Sequence, residues 1–410
     1  MIASVPNVPK VTVSLDAGSL RNIVQHWGFF SRKDIAERAG HLLMLDIDFG
    51  RQCSLSCPTC FRRCNAVDDS GDADLTFEEL LAVIDEGRRL GLREVKICGA
   101  GEPLENPDLL RLARHLTNLN IGLAIFSKGH VLGDDAVARR LFGHEGVTNG
   151  RILAQKLFEL KTSILVSFQS FRHEMQDRLV GNISGYTIRR NRAIEILAEV
   201  GFNRCMPTRM ALCSNPITKD NYPEIFDIYT YCRERNILPI TAVLMTSGKQ
   251  LRNNLLKEID ISDDEKLDLF VRLYRYNIEH GIQSFAEILA DGISPMPGIH
   301  PCNQIAAGLY VTCNGTVTSC PGDCSPIGNV RQKSLTTIWS ASANYQRRGM
   351  FNCWCPFKAG TTLPQAFCSL VLRNLTQCDV HSEIPRKLPS QSSSPFTLCA
   401  RSSPLMSNSL

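Results

Sequence analysis

Cys53, Cys57 and Cys60 stand at C-x3-C-x2-C spacing. Three thiolates so close in sequence can converge on one polynuclear centre. A 4Fe–4S cubane normally takes four cysteine thiolates. Three leave one iron without a protein ligand, open to a substrate or cofactor. A second group lies far downstream: Cys302, Gly315 and Cys320 fit C-x12-G-x4-C, and Cys353-Trp354-Cys355 follow after a gap. The competing chemistry for either group is structural zinc, which wants four ligands, often as paired C-x2-C knuckles. Cys64 is available as a fourth ligand in the first group.

The first cysteines need a rigid element behind them, and the pattern supplies one. Leu43, Leu45 and Ile47 alternate with Asp46 and Asp48, which predicts a strand leading directly into the cysteine loop. Thr76 and Glu79 form a capping box opening a helix to about residue 90. Strands are expected at 94–98, 121–126, 163–168, 204–212 and 240–245, and helices at 107–116, 136–160 with a glycine-containing break, 186–200, 223–235 and 264–280. Strands that alternate with helices argue for parallel packing with right-handed crossovers. The expected fold class is therefore α/β, a partial (β/α)6 TIM-like barrel over 41–281, in which loops after the strands carry the active site. A linker is expected at 282–300, a small cysteine-rich domain at 301–358, an N-terminal extension at 1–40 and a C-terminal extension at 359–410. The stretch from 382 has nine serines and four prolines in 29 residues, too little apolar surface to order itself.

Composition narrows the compartment and the partners. The chain has 410 residues, with 43% hydrophobic and 21% charged, as a globular protein has. A net charge of +4 from 45 basic and 41 acidic side chains gives no electrostatic reason to expect a nucleic-acid partner. The N-terminus carries no secretory pattern, and no stretch is long and apolar enough for a membrane span. Seventeen cysteines in an unsecreted chain imply reduced thiols, and clustered reduced thiols imply metal. A cytoplasmic metalloprotein follows. Cys98, Cys205, Cys213 and Cys232 lie within apolar elements and read as inert core residues, and no histidine stands at ligand spacing from a cysteine pair.

The C-x3-C-x2-C loop after a first strand resembles the radical SAM superfamily, and the likeness extends along the barrel. Gly99-Ala100-Gly101-Glu102-Pro103 is similar to the family's Gly-Gly-Glu-Pro stretch, where the chain lies against the amino group of S-adenosylmethionine. Ser127-Lys128-Gly129, Ser167-Phe168-Gln169-Ser170 and Arg178 with Gly181 stand where relatives have Thr-Asn-Gly, Ser-x-Asp-Gly and Arg-x-x-Gly. Thr59 occupies the place of the family's usual aromatic residue, and Gln169 that of an acid. The resemblance implies that Cys53, Cys57 and Cys60 hold a 4Fe–4S cluster. It also implies that Gly99, Ala100, Gly101, Glu102, Ser127, Ser167, Gln169 and Arg178 contact S-adenosylmethionine. Reductive cleavage of that cofactor would give a 5′-deoxyadenosyl radical, formed where water is excluded.

Cys302 to Cys355 resembles the SPASM or twitch extension, with Ile327-Gly328-Asn329-Val330 and Leu335-Thr336-Thr337-Ile338-Trp339 at matching places. Asn314-Gly315 between two short apolar runs predicts a hairpin that brings Cys302 and Cys320 together. The resemblance implies one auxiliary 4Fe–4S cluster on Cys302, Cys320, Cys353 and Cys355, with Cys313 or Cys324 as a substitute ligand. It implies a radical SAM oxidoreductase or maturase acting on a peptide or natural-product intermediate, supplied by an electron donor such as flavodoxin or ferredoxin. The other readings are a small-molecule dehydrogenase, a sulfatase-maturase-like enzyme, and, in a different class, a non-catalytic zinc-binding protein.

Overall fold

Strand β1 (Met44–Ile47) is buried at every residue, so it belongs in the middle of a sheet covered on both faces. The computed structural model describes residues 5–60, 73–244, 258–323, 325–351 and 355–377. Beside β1 run β2 (Glu94–Ile97), β3 (Gly122–Ser127), β4 (Ser163–Ser167), β5 (Met210–Ser214) and β6 (Leu238–Thr241). On its other side lie β7 (Gly308–Val311), β8 (Thr316–Thr318) and β9 (Gly328–Asn329), giving a 9-stranded sheet in the order β6-β5-β4-β3-β2-β1-β7-β8-β9. Every pair from β6 to β7 is parallel, and the last two pairs are antiparallel. Among the described residues β6 and β9 do not pair, so the barrel is open.

The two faces of the strands do different work. Leu45, Ile47, Val95, Ile97, Leu123, Ile125, Ile164 and Val166 pack outward on a helical layer. That layer includes α2 (Phe77–Arg89), α3 (Leu109–Asn118), α5 (Gly150–Glu159) and α7 (Tyr186–Val200). The alternate positions Ala124, Leu165, Ala211, Cys213 and Ile240 face inward around the lumen. Before β1, Val24, Trp27 and Phe29 pack under this inner set, with Gln25 N donating to Thr208 O at 3.0 Å. The N-terminal extension thus floors the barrel.

Most elements lie where the pattern placed them. The capping box of α2 is formed, with Glu79 N donating to Thr76 Oγ1 at 3.1 Å and Thr76 N to Glu79 Oε2 at 2.7 Å. The glycine-containing break expected within 136–160 is present: α4 (Asp135–Phe142) and α5 are parted by Gly146 at φ +74°. β5 starts later than expected because Phe202–Arg204 forms a 3-10 turn and Pro207 has no N–H for a ladder. β6, an edge strand, accommodates Pro239. The stretch expected as linker holds a capped helix, Phe285–Asp291, with Ile282, Ile288, Ile293 and Ile299 buried. The start of the C-terminal extension forms Phe367–Gln377, which docks on Asp263–Glu279 with the Phe270 and Phe367 rings 4.8 Å apart. The serine-rich stretch from 382 lies outside the described residues.

The hairpin expected at Asn314-Gly315 is present, with Val311 opposite Val317 and Gly315 at φ +83°. Its first strand is also the seventh parallel strand of the barrel sheet, register-paired to β1 through Asp46 opposite Tyr310. The cysteine-rich region therefore continues the barrel sheet.

At the start of β2 the carboxyl of Glu94 accepts the Gly28 N–H at 2.6 Å. Burial pushes it up to about 7, against the pull of that donor and of Lys96 and Arg93. A carboxyl raised in the fold gives stability that is whole below its unfolded value and is lost as pH rises through about 7. Glu94→Gln is expected to gain in melting temperature on the parent at pH 8 relative to pH 5. Melting curves of both proteins at the two pH values check this; an equal difference at both would contradict it.

Candidate active site

Cys53, Cys57 and Cys60 are half-buried in the loop that leaves β1. The loop is fastened at several points to the ends of other strands. Glu102 N donates to Gln52 O at 2.7 Å, and Ser56 N to Val180 O at 3.0 Å. Ser54 donates from both N and Oγ to Glu105, the latter at 2.5 Å, and His130 Nε2 lies 3.0 Å from the same carboxylate. Burial of Glu105 opposes its ionisation, yet the His130 and Ser54 hydrogen bonds win and hold it below the ordinary carboxylate range. Arg51 Nε donates to Asp74 Oδ1 at 2.7 Å. Cys53 and Cys57 pack on Leu55, Val180 and Tyr186, whose hydroxyl donates to Lys128 O at 3.0 Å.

The glycines of the second strand end serve this same packing. A Cβ on Gly101, at φ +76°, would stand 2.4 Å from Gly50 O. One on Gly99 would overlap Asp48 Oδ1. They let the Gly99-to-Pro103 stretch close on the cysteine loop. Gly181, at φ +98°, does likewise against Ser56 O. Asp48 is buried; its Oδ1 accepts from Ala100 N at 2.5 Å and from the Tyr310 hydroxyl, and its Oδ2 from Cys313 N at 3.0 Å.

The remaining expected cofactor contacts fall into three places. Glu102 is buried, and its carboxylate accepts from Ser127 Oγ at 2.5 Å and Lys128 N at 2.8 Å, joining two strand ends. Ser167 Oγ accepts from Lys128 Nζ at 2.8 Å and Gln169 Nε2 at 2.6 Å, while Gln169 also reaches Asn215 O. These polar groups cluster at the mouth of the sheet. Arg178 stands apart, exposed and paired with Asp220 at 3.1 Å.

Inside the sheet a cavity of about 180 Å³ runs from Asp46, Lys96 and Asn215 to Cys302, Cys320 and Cys355. Trp27, Phe126, Ile240 and Met296 make much of its wall apolar. Lys96 Nζ lies 2.8 Å from Asp46 Oδ1 and donates to Gln304 Oε1 at 3.0 Å, with Trp27 5.1 Å below it. Burial disfavours the ammonium, but Asp46 outweighs it and holds Lys96 protonated. Cys98 and Cys213, expected as inert core, line this cavity; burial pushes both thiols up. The buried Cys320 and the half-buried Cys355 are pushed up likewise, each also by the charge of another cavity cysteine.

Cys313 has a different neighbourhood: it is held by Asp48 and Leu75 and does not line the cavity. Cys64, Cys324 and Cys353 lie outside the described residues. Among the described residues no three His, Cys, Asp or Glu side chains are close enough to hold one metal ion. Each thiolate of a cubane binds a different iron, and both sets are soft, partly shielded donors, so their chemistry fits iron–sulfur ligation. Three features that position these cysteines went unread in the sequence: Asp48, the Ser54–Glu105–His130 group, and the inward pair Asp46–Lys96. The one signal for them was acidic side chains alternating within an otherwise apolar strand.

Comparisons with known proteins agree with this layout. Residues 47–215 match the model of the Radical SAM superfamily, and residues 302–369 that of SPASM, an iron-sulfur cluster-binding domain. Together they imply a 4Fe–4S cluster with S-adenosylmethionine and auxiliary iron–sulfur ligation. The PqqA peptide cyclase of Rhodopseudomonas palustris is 29% identical over 104 residues, 25% of this chain and 27% of that protein. A probable GTP 3′,8-cyclase of Pyrococcus horikoshii is 32% identical over 85 residues, 21% and 26% of the two chains. The chain thus spans about a quarter of each curated relative it matches. Among solved structures, Streptococcus suis SuiB bound to precursor peptide SuiA superposes with a TM-score of 0.50 at 17% identity, over 76% of this chain and 68% of that one. Native anSMEcpe with bound AdoMet and Kp18Cys peptide gives 0.50 at 14% identity, over 75% and 82%. At these identities the likeness is one of fold. No helix among the described residues is long and apolar enough to cross a membrane.

Glu105→Ala should loosen the cysteine loop. Loss of a residue that orients metal ligands commonly weakens a site about 10–100-fold. Iron retained by the SAM-binding cluster under chelator challenge is expected to fall by that order, and unchanged retention would refute the anchoring role.

Proposed function

Because this chain carries a radical SAM domain followed by an SPASM domain, we propose that it oxidises, or forms a bond within, a peptide or natural-product intermediate. The observation that carries this reading is the cavity: its wall runs from the interior of the sheet to Cys302, Cys320 and Cys355. A substrate in that space touches the barrel and the second cysteine group at once. Peptide chemistry is supported by the peptide-bound fold neighbours and by the sequence likeness to a peptide cyclase.

The roles of the chain's own residues follow. Cys53, Cys57 and Cys60 would hold one cluster, with one iron left to S-adenosylmethionine. When bound, that pair supplies a carbon-centred radical able to take a hydrogen atom from an unactivated carbon. Gly99, Ala100, Gly101 and Glu102 seat the loop. Lys128, Ser167 and Gln169 offer donors and acceptors at the sheet mouth. Trp27, Phe126, Ile240 and Met296 line the lumen with apolar surface. Cys302, Cys320 and Cys355, with Cys353, would hold an auxiliary cluster.

Anaerobically reconstituted protein is expected to carry roughly eight irons per chain, as two 4Fe–4S clusters require. One or two zincs instead would establish a zinc-binding protein. Cys57→Ala is expected to abolish 5′-deoxyadenosine formation. Cys320→Ala is expected to leave that formation measurable while stopping the mass change of a substrate peptide. Equal loss of both in Cys320→Ala would contradict separate roles for the two sites.

A further inference from the structure

Three lysines are buried among the described residues, and two are paired. Lys96 has Asp46 and Gln304, and Lys266 has Asp260 and Asp263. Lys358, 5% exposed, has no hydrogen-bond or ion-pair partner for its side chain among the described residues. It lines the cavity beside Cys302, Cys320 and Cys355; burial draws its ammonium below the ordinary lysine range, and the charges of Cys355, Cys302 and Cys320 pull the other way. Its backbone is fixed: Lys358 N donates to Cys355 O at 3.2 Å. Its carbonyl accepts from Leu363 N at 2.9 Å and from the Thr361 hydroxyl at 2.9 Å. The turn therefore holds the backbone of Lys358 at the cavity wall that the cysteines share.

A buried ammonium without an acceptor is costly, and the fold keeps it only if something anionic stands opposite. The three cysteines are that partner once they are thiolates on an iron–sulfur cluster. We propose that Lys358 is the counter-charge of the auxiliary cluster and holds its reduction potential up, which favours acceptance of electrons. This rests on the reading of Cys302, Cys320 and Cys355 as cluster ligands. Reduction adds a negative charge to the cluster, and a fixed cation in a desolvated setting favours the more negative state. Net charge, burial and donors near the sulfurs are the levers that set such potentials. Lys96, also near Cys302, is neutralised by Asp46 and contributes less.

The test is a redox titration of the reconstituted full-length protein, followed by electron paramagnetic resonance. Added S-adenosylmethionine identifies the signal of the first cluster, and the remaining signal belongs to the auxiliary one. Lys358→Gln and Lys358→Met are expected to shift the auxiliary one-electron equilibrium at least tenfold, about 59 mV lower. Lys358→Arg is expected to stay near the parent, and the first cluster to move in none of them. If both neutral variants lose the auxiliary cluster while the arginine variant keeps it, the charge is required for assembly and the proposal stands. An unchanged potential in the neutral variants, or loss of the cluster from the arginine variant too, overturns it. A parent protein with only about four irons per chain would instead show that the ligand assignment has failed.

Discussion

One buried carboxylate fixes the geometry at the centre of this molecule. Asp48 closes β1, and its two oxygens collect an N–H from Ala100, an N–H from Cys313 and the Tyr310 hydroxyl. A buried carboxylate must be given donors, and these come from two chain segments far apart in sequence, the end of β2 and the β7–β8 hairpin. The glycine at position 99 follows from it, because any side chain there would occupy the carboxylate's place. The cysteine loop begins just after Asp48, so the anchor that joins the β7–β8 hairpin to β1 also sets where the loop starts. Substituting Asp48 would leave the N–H groups of Ala100 and Cys313 unmatched between β1 and the β7–β8 hairpin.

The continuity of the sheet explains how a second cysteine group comes to face the barrel lumen. β7 pairs with β1 in parallel register, and β8 turns back on it through Asn314-Gly315. Cys302 precedes β7 and Cys320 follows β8, so sheet pairing alone carries both to the same side. Arg331 bonded to Glu79, and Glu86 bonded to the first N–H groups of the helix Leu335–Ala341, hold the rest of this region against α2. Trp339, fully buried, donates to Gly40 O at 2.9 Å and closes the seam with the N-terminal extension.

Local chemistry was legible in the sequence, and non-local pairing was not. The capping box at Thr76, the Asn314-Gly315 turn and the strand before Cys53 all depend on neighbours a few residues away. The joining of β7 to β1 bridges more than two hundred residues and leaves no periodic trace. Cys98 and Cys213 read as core because both faces of a buried parallel strand are apolar, and alternation cannot tell a helix-facing position from a lumen-facing one. His130 was passed over because spacing to a cysteine was the only criterion available; it acts on the loop through Glu105. Arg178 matched a motif by position, yet its side chain meets Asp220 at the surface.

The two lysines of the lumen show what charge is for in an otherwise apolar cavity. Lys96 and Asp46 face each other across adjacent strands, in register. A buried pair of this kind is a poor source of stability, since its desolvation penalty takes back much of the attraction. Apolar residues of equal volume would fold as well there. Its place on the cavity wall, under Trp27 and next to Gln304, gives it a different value: a fixed polar surface in a space that excludes water. Such a surface is worth more than the same groups in solvent, because no reorganisation is needed when a polar group arrives. The lumen thus presents a neutralised ion pair on the barrel side and the Lys358 side chain on the cysteine side, with an apolar wall between them.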